Sequence, residues 1–348
     1  MKILTVLGAR PQFIKAATIS RVFKQLSIDE RIFHSGQHYD FNMSDIFFQE
    51  MEIPEPHYKH ILQARTHGKM TAEIISALED IVLAENFDAI MVYGDTNTTI
   101  AGALVGAKLN IPVIHVESGL RSFNKKMPEE VNRVLTDHVS SLLFCPTETA
   151  RINLANESIT NGVYVVGDVM YDALLYYKSK SKKVTTPSEF ILATIHRQEN
   201  TDDIVKLKNI ITAFKQIAIK KNIVLPLHPR TRKIITENNI DVSDINIMDP
   251  VGYFEMLYLL EHASAVITDS GGLQKEAYLF NKPLLIIRDE TEWVELVEHN
   301  HALLAGTDDK KILDGYNKLN TLSKEKTNFY GDGHAAEKIV GHIIKFFK

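Results

Sequence analysis

Short apolar runs alternate with longer segments of helical periodicity along almost the whole chain. This alternation is typical of parallel β-strands joined by crossover helices, because the strands of such sheets are covered on both faces. We predict strands at residues 3–7, 31–35, 89–93, 112–116 and 142–145, and a second series at 164–166, 190–195, 223–227, 245–248, 265–268 and 284–287. The sequence therefore predicts an α/β protein with two Rossmann-like, doubly wound sheets.

The length of 348 residues exceeds the size at which one hydrophobic core keeps growing, so two domains are expected. We predict an N-terminal domain over residues 1–168 and a C-terminal domain over 169–332. A polar, charged run at residues 178–189 is the candidate linker, although a loop within one domain explains it equally well. Residues 333–348 have a helical apolar pattern and are expected to pack back on the first domain.

Composition and charge exclude several classes of protein. A net charge of -5 gives no electrostatic reason to expect nucleic acid or an anionic membrane as a partner. Apolar runs are too short for a membrane span or a signal peptide, so a cytoplasmic protein is expected. The single cysteine, Cys145, excludes an intrachain disulfide, and the histidines lack metal-ligand spacing. We therefore expect no metal.

The segment ITDSGGLQKEAYLF, residues 267–280, runs from an apolar strand directly into a helix. Ser270, Gly271 and Gly272 lie at the turn, where glycines allow close approach of a ligand and the helix N-terminus favours an anion. Glu276 follows about 6 Å along the helix, where its carboxylate can accept hydrogen bonds from a ribose. The segment indicates a nucleotide diphosphate site, and a capped turn with a solvated glutamate is the alternative.

The first strand is followed by GARPQFIKAA, which lacks the glycine patterns of a dinucleotide fingerprint and of a P-loop. Neither NAD nor ATP is supported, and no cofactor is expected. Arg10 and Lys15 can instead bind phosphate or another anion from this turn, unless they are solvated surface cations.

Two carboxylates follow predicted neighbouring strands. Asp95 ends one strand and Glu117 ends the next, so both side chains can face one pocket, and either can shift the other toward acid behaviour. Asp95 could instead cap the helix that starts at residues 96–98. Glu117 is followed by Ser118 and Gly119 and has no capping role to explain it.

Charged residues also follow other predicted element boundaries. Glu129 and Glu130 come directly after Pro128 at a helix start, where the helix dipole alone can explain them. His196 follows a strand beside Arg197, which indicates phosphate contact unless the histidine is structural.

Acids on one domain and phosphate-binding groups on the other suit proton transfer at carbon. They suit phosphoryl transfer poorly, because no magnesium-binding arrangement is visible.

Seven motifs occur in a specific order: GARPQFIK, VYGDTNTT, HVESGLRS, MPEEVNR, HRQEN, LHPR and TDSGGLQKEA. This set resembles the non-hydrolysing UDP-N-acetylglucosamine 2-epimerase family over essentially the whole chain. The resemblance implies a glycosyltransferase-B-like pair of Rossmann-like domains, an active site in the cleft between them, a homodimer, and neither metal nor nicotinamide. It also implies elimination of UDP through a 2-acetamidoglucal-like intermediate, followed by re-addition with C2 inverted.

The resemblance assigns roles to individual residues. It implies acid/base roles for Asp95, Glu117 and Glu129 and a functional histidine beside the phosphates in His196. It further implies substrate-binding roles for two sets of residues, the cleft cations Arg10, Lys15 and Arg133 and the UDP site Ser270, Gly271, Gly272 and Glu276.

Two segments depart from the acetylglucosamine epimerases. Thr291–Glu295 reads TEWVE where those enzymes usually read TERPE, and HRQENTDD, LHPRTR and DPVGYFEM resemble the branch acting on UDP-2,3-diacetamido-2,3-dideoxyglucuronic acid. Gln37 and His38 are followed by Tyr39 and Asp40, whereas a QHR-type motif usually marks the family's allosteric site. A glycosyltransferase of the same architecture and a non-catalytic UDP-sugar-binding regulator are the rival functions.

Overall fold

The structure, a computed structural model, describes residues 1–37, 51–325 and 327–348, and for Arg10 the backbone alone. The motif at His38, Tyr39 and Asp40 therefore lies outside the described residues. The chain divides into two compact units. The first unit comprises Met1–Leu175 with Asn328–Lys348, and the second comprises Tyr176–Thr327.

The first unit contains a seven-stranded parallel sheet. Its strands are β1 Lys2–Leu7, β2 Asp29–His34, β3 Tyr58–Lys59, β4 Ala89–Tyr93, β5 Val113–Val116, β6 Leu142–Cys145 and β7 Val163–Val165. They lie in the order β3-β2-β1-β4-β5-β6-β7, so the winding direction reverses between β1 and β4. The helices are α1 Arg10–Gln25, α2 His67–Ala84, α3 Asn97–Lys108, α4 Pro128–Val139, α5 Glu148–Asn156 and α6 Val169–Tyr177, which runs on into the second unit.

The second unit contains a six-stranded parallel sheet. Its strands are β8 Phe190–Thr194, β9 Asn222–Pro226, β10 Asn246–Met248, β11 Ala265–Thr268, β12 Leu284–Ile286 and β13 Ala302–Leu304. The order β10-β9-β8-β11-β12-β13 reverses between β8 and β11. The helices are α7 Gln198–Thr201, α8 Ile204–Ala218, α9 Pro229–Glu237, α10 Tyr253–His262, α11 Gly271–Leu279, α12 Val294–Glu298 and α13 Asp309–Lys318. The final helix, α14 Ala335–Phe346, packs against α1 in the first unit.

Burial explains why the apolar runs form these strands. Strands β4, β5 and β6 are buried along their whole length, and so are β8 and β11 in the second unit. Each sheet packs against helices through its own apolar core. The prediction of two doubly wound sheets is confirmed.

Most predicted strand positions are confirmed. The strands at 89–93, 142–145 and 265–268 have the predicted bounds, and the other predicted strands differ by one or two residues at their ends. The placement of 164–166 at the head of the second series is wrong, because β7 pairs with β6 in the first sheet. Strands β3 and β13 were not predicted; β3 has only two residues, too few to show a strand periodicity.

Glu30 on β2, a half-buried residue with a buried carboxylate oxygen, makes the stability of the first unit depend on pH. Thr5 on β1 donates a hydrogen bond of 2.6 Å to Glu30 Oε1, while Oε2 is buried without a hydrogen-bond partner among the described residues. Burial raises the pKa of Glu30 to about 7, although the hydrogen bond from Thr5 and the nearby Ser20 hydroxyl oppose the shift. Below a pH of about 7, the Glu30 carboxyl of the folded protein is therefore mostly neutral.

We predict that Glu30→Gln abolishes the decrease in the free energy of unfolding that the wild type shows as the pH rises toward neutrality. The stabilisation by the neutral carboxyl is complete below pH 4.5 and is lost as the pH rises through 7, at a cost on the order of 3 kcal/mol. Urea unfolding between pH 4.5 and 8 measures this dependence. Glu30→Gln should flatten the profile, whereas Glu55→Gln, at an exposed position, should leave it unchanged. Parallel profiles for wild type and Glu30→Gln would contradict the prediction.

Candidate active site

Most of the predicted site residues lie where each sheet reverses its winding direction. Beyond the carboxyl ends of strands, this reversal opens a crevice in which ligands of doubly wound sheets bind. In the first unit, β1 leads to Lys15 on α1, and the neighbouring β4 leads to Asp95. In the second unit, β8 leads to His196 and the neighbouring β11 leads to Ser270. Each sheet therefore has, at its winding reversal, a strand-end edge of the kind at which ligands bind.

Glu117 follows β5 and forms an ion pair with Lys15 of α1. Only 9% of each side chain is exposed, so the pair is largely withdrawn from water. The backbone of Glu117 has a φ of 68°, a left-handed conformation that costs a non-glycine residue about 1–3 kcal/mol. The N–H groups of Glu117 and Ser118 both donate to the Phe144 carbonyl at 3.1 Å, which holds this turn against the end of β6. Backbone strain that neighbouring contacts hold in place is typical of functional positions.

Asp95 forms an ion pair with Arg133 of α4. Arg133 Nη2 lies 2.5 Å from Asp95 Oδ2, and Asn132 Nδ2 donates to the Asp95 carbonyl at 3.0 Å. The residue that caps α3 is Thr96, whose hydroxyl accepts the Thr99 N–H at 3.2 Å. The alternative interpretation of Asp95 as a helix cap is therefore wrong, and its carboxylate is paired with a cation.

Gly94 brings these two ion pairs into proximity. A β-carbon at Gly94 would lie 3.4 Å from Glu117 Oε2 and 3.5 Å from Lys15 Nζ. The residue that precedes Asp95 therefore lies directly against the Lys15–Glu117 pair. Both carboxylates and their cations accordingly occupy one edge of the first sheet.

The two glutamates at the start of α4 differ in their contacts. Glu130 is buried and accepts hydrogen bonds from the N–H groups of Ser122 and Phe123 at 2.9 Å and from Arg133 Nη1, also at 2.9 Å. Glu129 is partly exposed, and within the described part of the chain its side chain makes no hydrogen bond or ion pair. Glu130 therefore holds the loop and Arg133 in place. The structure does not bring Glu129 into contact with Asp95 or Glu117, and its acid/base role stays a prediction.

Arg10 is the first residue of α1, and its side chain lies outside the described part of the structure. The neighbouring Gln12, which no sequence pattern singled out, is buried and joins two strand ends. Its side-chain oxygen accepts the Gly8 N–H at 2.8 Å, and its amide donates to the Tyr93 carbonyl at 2.8 Å. Gln12 thus fixes the turn after β1 against the end of β4.

The N-terminus of α11 forms the centre of the site in the second unit. Ser270 is the N-cap, and its hydroxyl accepts the Leu273 N–H at 3.4 Å. A β-carbon at Gly272 would meet nothing within 4 Å, so the helix end faces open space there. At Gly271, a β-carbon would lie 3.7 Å from Arg197 Nη2 and 3.6 Å from Trp293 Nε1. Glu292 Oε2 would lie 3.8 Å from the same β-carbon, so two nitrogen-bearing side chains and one carboxylate flank a helix end that itself favours anions.

His196 is positioned by the buried carboxylate of Asp269. This carboxylate accepts the N–H groups of His196 and Arg197 at 3.1 and 3.0 Å and the Asn200 side-chain amide at 3.1 Å. His196 Nδ1 lies 3.1 Å from Asp269 Oδ1, and half of the His196 side chain is exposed. Burial alone would raise the pKa of Asp269, but the contacts with His196 and Arg197 hold it below its usual value. The arrangement presents the imidazole ring to solvent at the end of β8, next to the strand β11 that leads to Ser270.

His228, the histidine of the LHPR motif, has a structural role. Its Nδ1 accepts the Arg230 N–H at 3.2 Å as the N-cap of α9. Burial lowers its pKa, and the nearby charges of His196 and Arg230 lower it further. His228 therefore favours the neutral ring that a cap requires.

The segment after β12 contains contacts that sequence reasoning missed. Arg288 is fully buried, and its guanidinium binds both carboxylate oxygens of Glu292, at 2.9 and 3.2 Å. Burial alone would lower the pKa of Arg288, but the charge of Glu292 raises it above its usual value. Trp293 packs over Lys275 Nζ of α11, at 4.0 Å from the ring centroid. The unusual TEWVE segment was the only signal of this arrangement in the sequence. Glu276 is buried in the same helix, and its ribose role stays a prediction.

Among the described residues, no group of three or more histidine, cysteine, aspartate or glutamate side chains is arranged to hold a metal ion. Within the same part of the chain, no helix is long and apolar enough to cross a membrane.

Comparison with known proteins identifies the family. The model of the UDP-N-acetylglucosamine 2-epimerase family matches residues 21–344. The chain belongs to this family. A UDP-N-acetylglucosamine 2-epimerase homolog of Methanococcus maripaludis is 48% identical, with 98% of both chains covered. The UDP-2,3-diacetamido-2,3-dideoxy-D-glucuronate 2-epimerase of Pseudomonas aeruginosa is 46% identical, over 99% of this chain and all of the relative.

Solved structures agree with the family assignment. The crystal structure of Methanocaldococcus jannaschii UDP-GlcNAc 2-epimerase, in complex with UDP-GlcNAc and UDP, matches with a TM-score of 0.93 and 40% identity. The match covers 99% of this chain and 100% of that chain. The protein is therefore an isomerase, a UDP-sugar 2-epimerase with two glycosyltransferase-B-like parallel-sheet domains.

We predict that Gly272→Ala weakens UDP binding about tenfold or more without harming the fold. A methyl group there meets no protein atom, but it fills the space in front of the helix end. Alanine should also stabilise the helix by about 0.5–1 kcal/mol. Calorimetry with UDP and thermal unfolding measure the two effects. Gly341→Ala on α14 is the matched control, because a β-carbon there also meets nothing within 4 Å, and it should leave UDP binding intact. Unchanged UDP affinity in Gly272→Ala would remove this helix end from the binding site.

Proposed function

We propose that the enzyme converts UDP-2,3-diacetamido-2,3-dideoxyglucuronic acid to its mannuronic acid epimer for surface polysaccharide synthesis. The observation that supports this substrate is the 46% identity to the Pseudomonas aeruginosa enzyme named for that sugar, over 99% of the chain. The TEWVE segment agrees with the same branch, and it places Trp293 rather than an arginine beside Gly271.

The second candidate substrate is UDP-N-acetylglucosamine. It is favoured by the Methanocaldococcus jannaschii enzyme, which is named for that sugar and is 40% identical over 98% of this chain. The two substrates differ at C3 and C6 and share the UDP group. The groups at α11 are therefore expected to serve either substrate.

The proposed reaction is an elimination followed by a re-addition. One carboxylate takes the proton from C2 while the bond between C1 and the UDP oxygen breaks, which leaves a 2-acetamidoglucal-like intermediate and UDP. UDP then adds back to C1, and a second acid delivers a proton to the opposite face of C2. We propose Asp95, Glu117 and Glu129 as the acid/base groups, because Asp95 and Glu117 share one sheet edge and Glu129 opens the neighbouring helix α4.

The diphosphate must be stabilised as it leaves. We propose that His196 and the α11 N-terminus, with Ser270, Gly271 and Gly272, hold it, and that Glu276 binds the ribose. Support comes from the exposed ring of His196, fixed through Asp269, and from the helix end beside Arg197. Arg10, Lys15 and Arg133 are proposed as the cations that face the sugar and its leaving group. Lys15 and Arg133 are each paired with one of the carboxylates.

We predict that Glu117→Gln and Asp95→Asn each lower kcat about 10²- to 10⁴-fold, because each removes a proton-transfer group. UDP affinity should stay within about twofold, because UDP contacts are assigned to other residues. Coupled assays of turnover and calorimetry with UDP measure both quantities. Asp80→Asn, at an exposed position on α2, is the control and should keep full activity. Near-native rates in both active-site variants would overturn the acid/base assignment.

We predict that the purified enzyme inverts C2 of UDP-2,3-diacetamido-2,3-dideoxyglucuronic acid without any acceptor, with solvent deuterium at C2 of the product. The deuterium enters because one group removes the original proton and another returns a solvent-derived one. Proton NMR of each UDP-sugar incubated separately in D₂O measures both substrate choice and exchange. Faster inversion of UDP-N-acetylglucosamine would favour the second substrate. A product that retains its C2 hydrogen would exclude the elimination route.

A further inference from the structure

A cluster of buried charged side chains lies directly behind Asp95 and Glu117. His115 lies on β5, Asp137 on α4, and Arg121 in the connection between them. The side chains of His115 and Asp137 are fully buried, and the Arg121 side chain is 1% exposed. Arg121 also binds both carboxylate oxygens of Glu157, at 2.7 and 2.8 Å. None of these four residues takes part in the proposed reaction.

The surroundings of the His115 ring determine its protons. Nε2 lies 2.7 Å from the Gly94 carbonyl oxygen, and Nδ1 lies 2.7 Å from Asp137 Oδ1. A carbonyl oxygen only accepts hydrogen bonds, so Nε2 must carry a proton. If the Asp137 carboxylate is ionised, it also only accepts, and Nδ1 must carry a proton as well.

The alternative is a neutral histidine whose Nδ1 accepts a hydrogen bond from a protonated Asp137. Two donors to the other carboxylate oxygen argue against it. Asp137 Oδ2 already accepts Arg121 Nη1 at 2.7 Å and the Gly119 N–H at 3.1 Å, and the ring nitrogen faces Oδ1. Burial alone would raise the pKa of Asp137, but its contacts with His115 and Arg121 hold it below the usual value. An ionised Asp137 also balances the cluster, with two cations and two carboxylates.

We propose that His115 is a buried imidazolium and a positioning residue for the epimerisation. Its Nε2–H holds the carbonyl of Gly94, the residue before Asp95, and Glu117 directly follows the strand that carries His115. Asp137, its counter-ion, also holds the Gly119 N–H and lies on α4, the helix that carries Arg133. One charged pair therefore connects the ends of β4 and β5 to α4.

This arrangement accounts for the maintained strain at Glu117. Position 117 has a φ of 68° and position 119 a φ of 79°, and a β-carbon at Gly119 would lie 2.3 Å from the Ala150 carbonyl oxygen. Hydrogen bonds to charged groups contribute more than neutral ones, so the imidazolium–carboxylate pair can hold a turn that neutral contacts would release. The consequence for turnover rests on the proposed function, whereas the protonation of His115 does not.

The direct test is ¹⁵N NMR of histidine-labelled full-length protein between pH 6.5 and 8.5. The His115 resonances are assigned by their loss in His115→Gln, and the loss of a separate resonance in His262→Gln, an exposed position in the second unit, serves as the control. We expect both ring nitrogens of His115 to be protonated across this range. A neutral ring with one protonated nitrogen at pH 7.5 would overturn the proposal.

Asp137→Asn provides a second spectroscopic readout and keeps the shape of the pair. The asparagine amide can donate to Nδ1, so His115 should become a neutral ring with its proton on Nε2. We expect this change in the ¹⁵N spectrum, which a purely structural role would not produce. If His115→Gln does not fold, this shift assigns the resonance instead. An unchanged, doubly protonated ring in Asp137→Asn would contradict the role of Asp137.

Kinetics test the positioning role. We expect kcat to fall about 10- to 100-fold in His115→Gln and Asp137→Asn with UDP affinity within about twofold, and His262→Gln to match the wild type. Turnover of His115→Gln within twofold of the wild type would exclude a positioning role. If wild type inverts neither candidate sugar, the proposed function fails, but the NMR result still decides the state of His115.

Discussion

Each unit depends on one buried aspartate that must find hydrogen-bond donors because it is removed from water. In the first unit, Asp137 draws together His115, Arg121 and the Gly119 N–H. In the second unit, Asp269 draws together the N–H groups of His196 and Arg197 and the Asn200 amide. An unpaired buried carboxylate would cost several kcal/mol, so the loops that supply donors cannot move away without a large penalty. The need to give each buried carboxylate its hydrogen-bond donors therefore holds the strand-end loops of both units in place.

The same requirement explains how a strained turn persists at Glu117. A left-handed glutamate costs about 1–3 kcal/mol, and its ion pair with Lys15 also loses hydration on burial. These costs are comparable with what a few hydrogen bonds to charged groups contribute. The Phe144 carbonyl, the Asp137 carboxylate and the neighbouring ion pairs together hold the turn. Part of the favourable free energy of folding therefore holds the Glu117 carboxylate in a fixed position.

The sequence predicted the sheets because buried parallel strands are continuous apolar runs, and the site candidates because ligand groups follow such strands. It could not predict which carboxylate has which partner. Asp95 and Arg133 are 38 residues apart, and only the pairing of strands with α4 brings them together. His115 and Asp137 looked like ordinary polar residues, since their roles arise from burial that no local pattern reports. Arg288 and Glu292 are close in sequence, yet their isolation from water was equally invisible.

A negatively charged protein that binds a negatively charged sugar nucleotide must concentrate positive potential locally. The net charge of -5 gives no long-range attraction, so the helix dipole at α11 and the side chains beside it must supply it at short range. In the first unit, Lys15 and Arg133 are already paired with Glu117 and Asp95, so they neutralise the two carboxylates that we propose as acid/base groups. This pairing separates anion binding from proton transfer. In the proposed mechanism, the diphosphate is held mainly by groups of the second unit, and proton transfer is carried out by carboxylates whose charges Lys15 and Arg133 already balance.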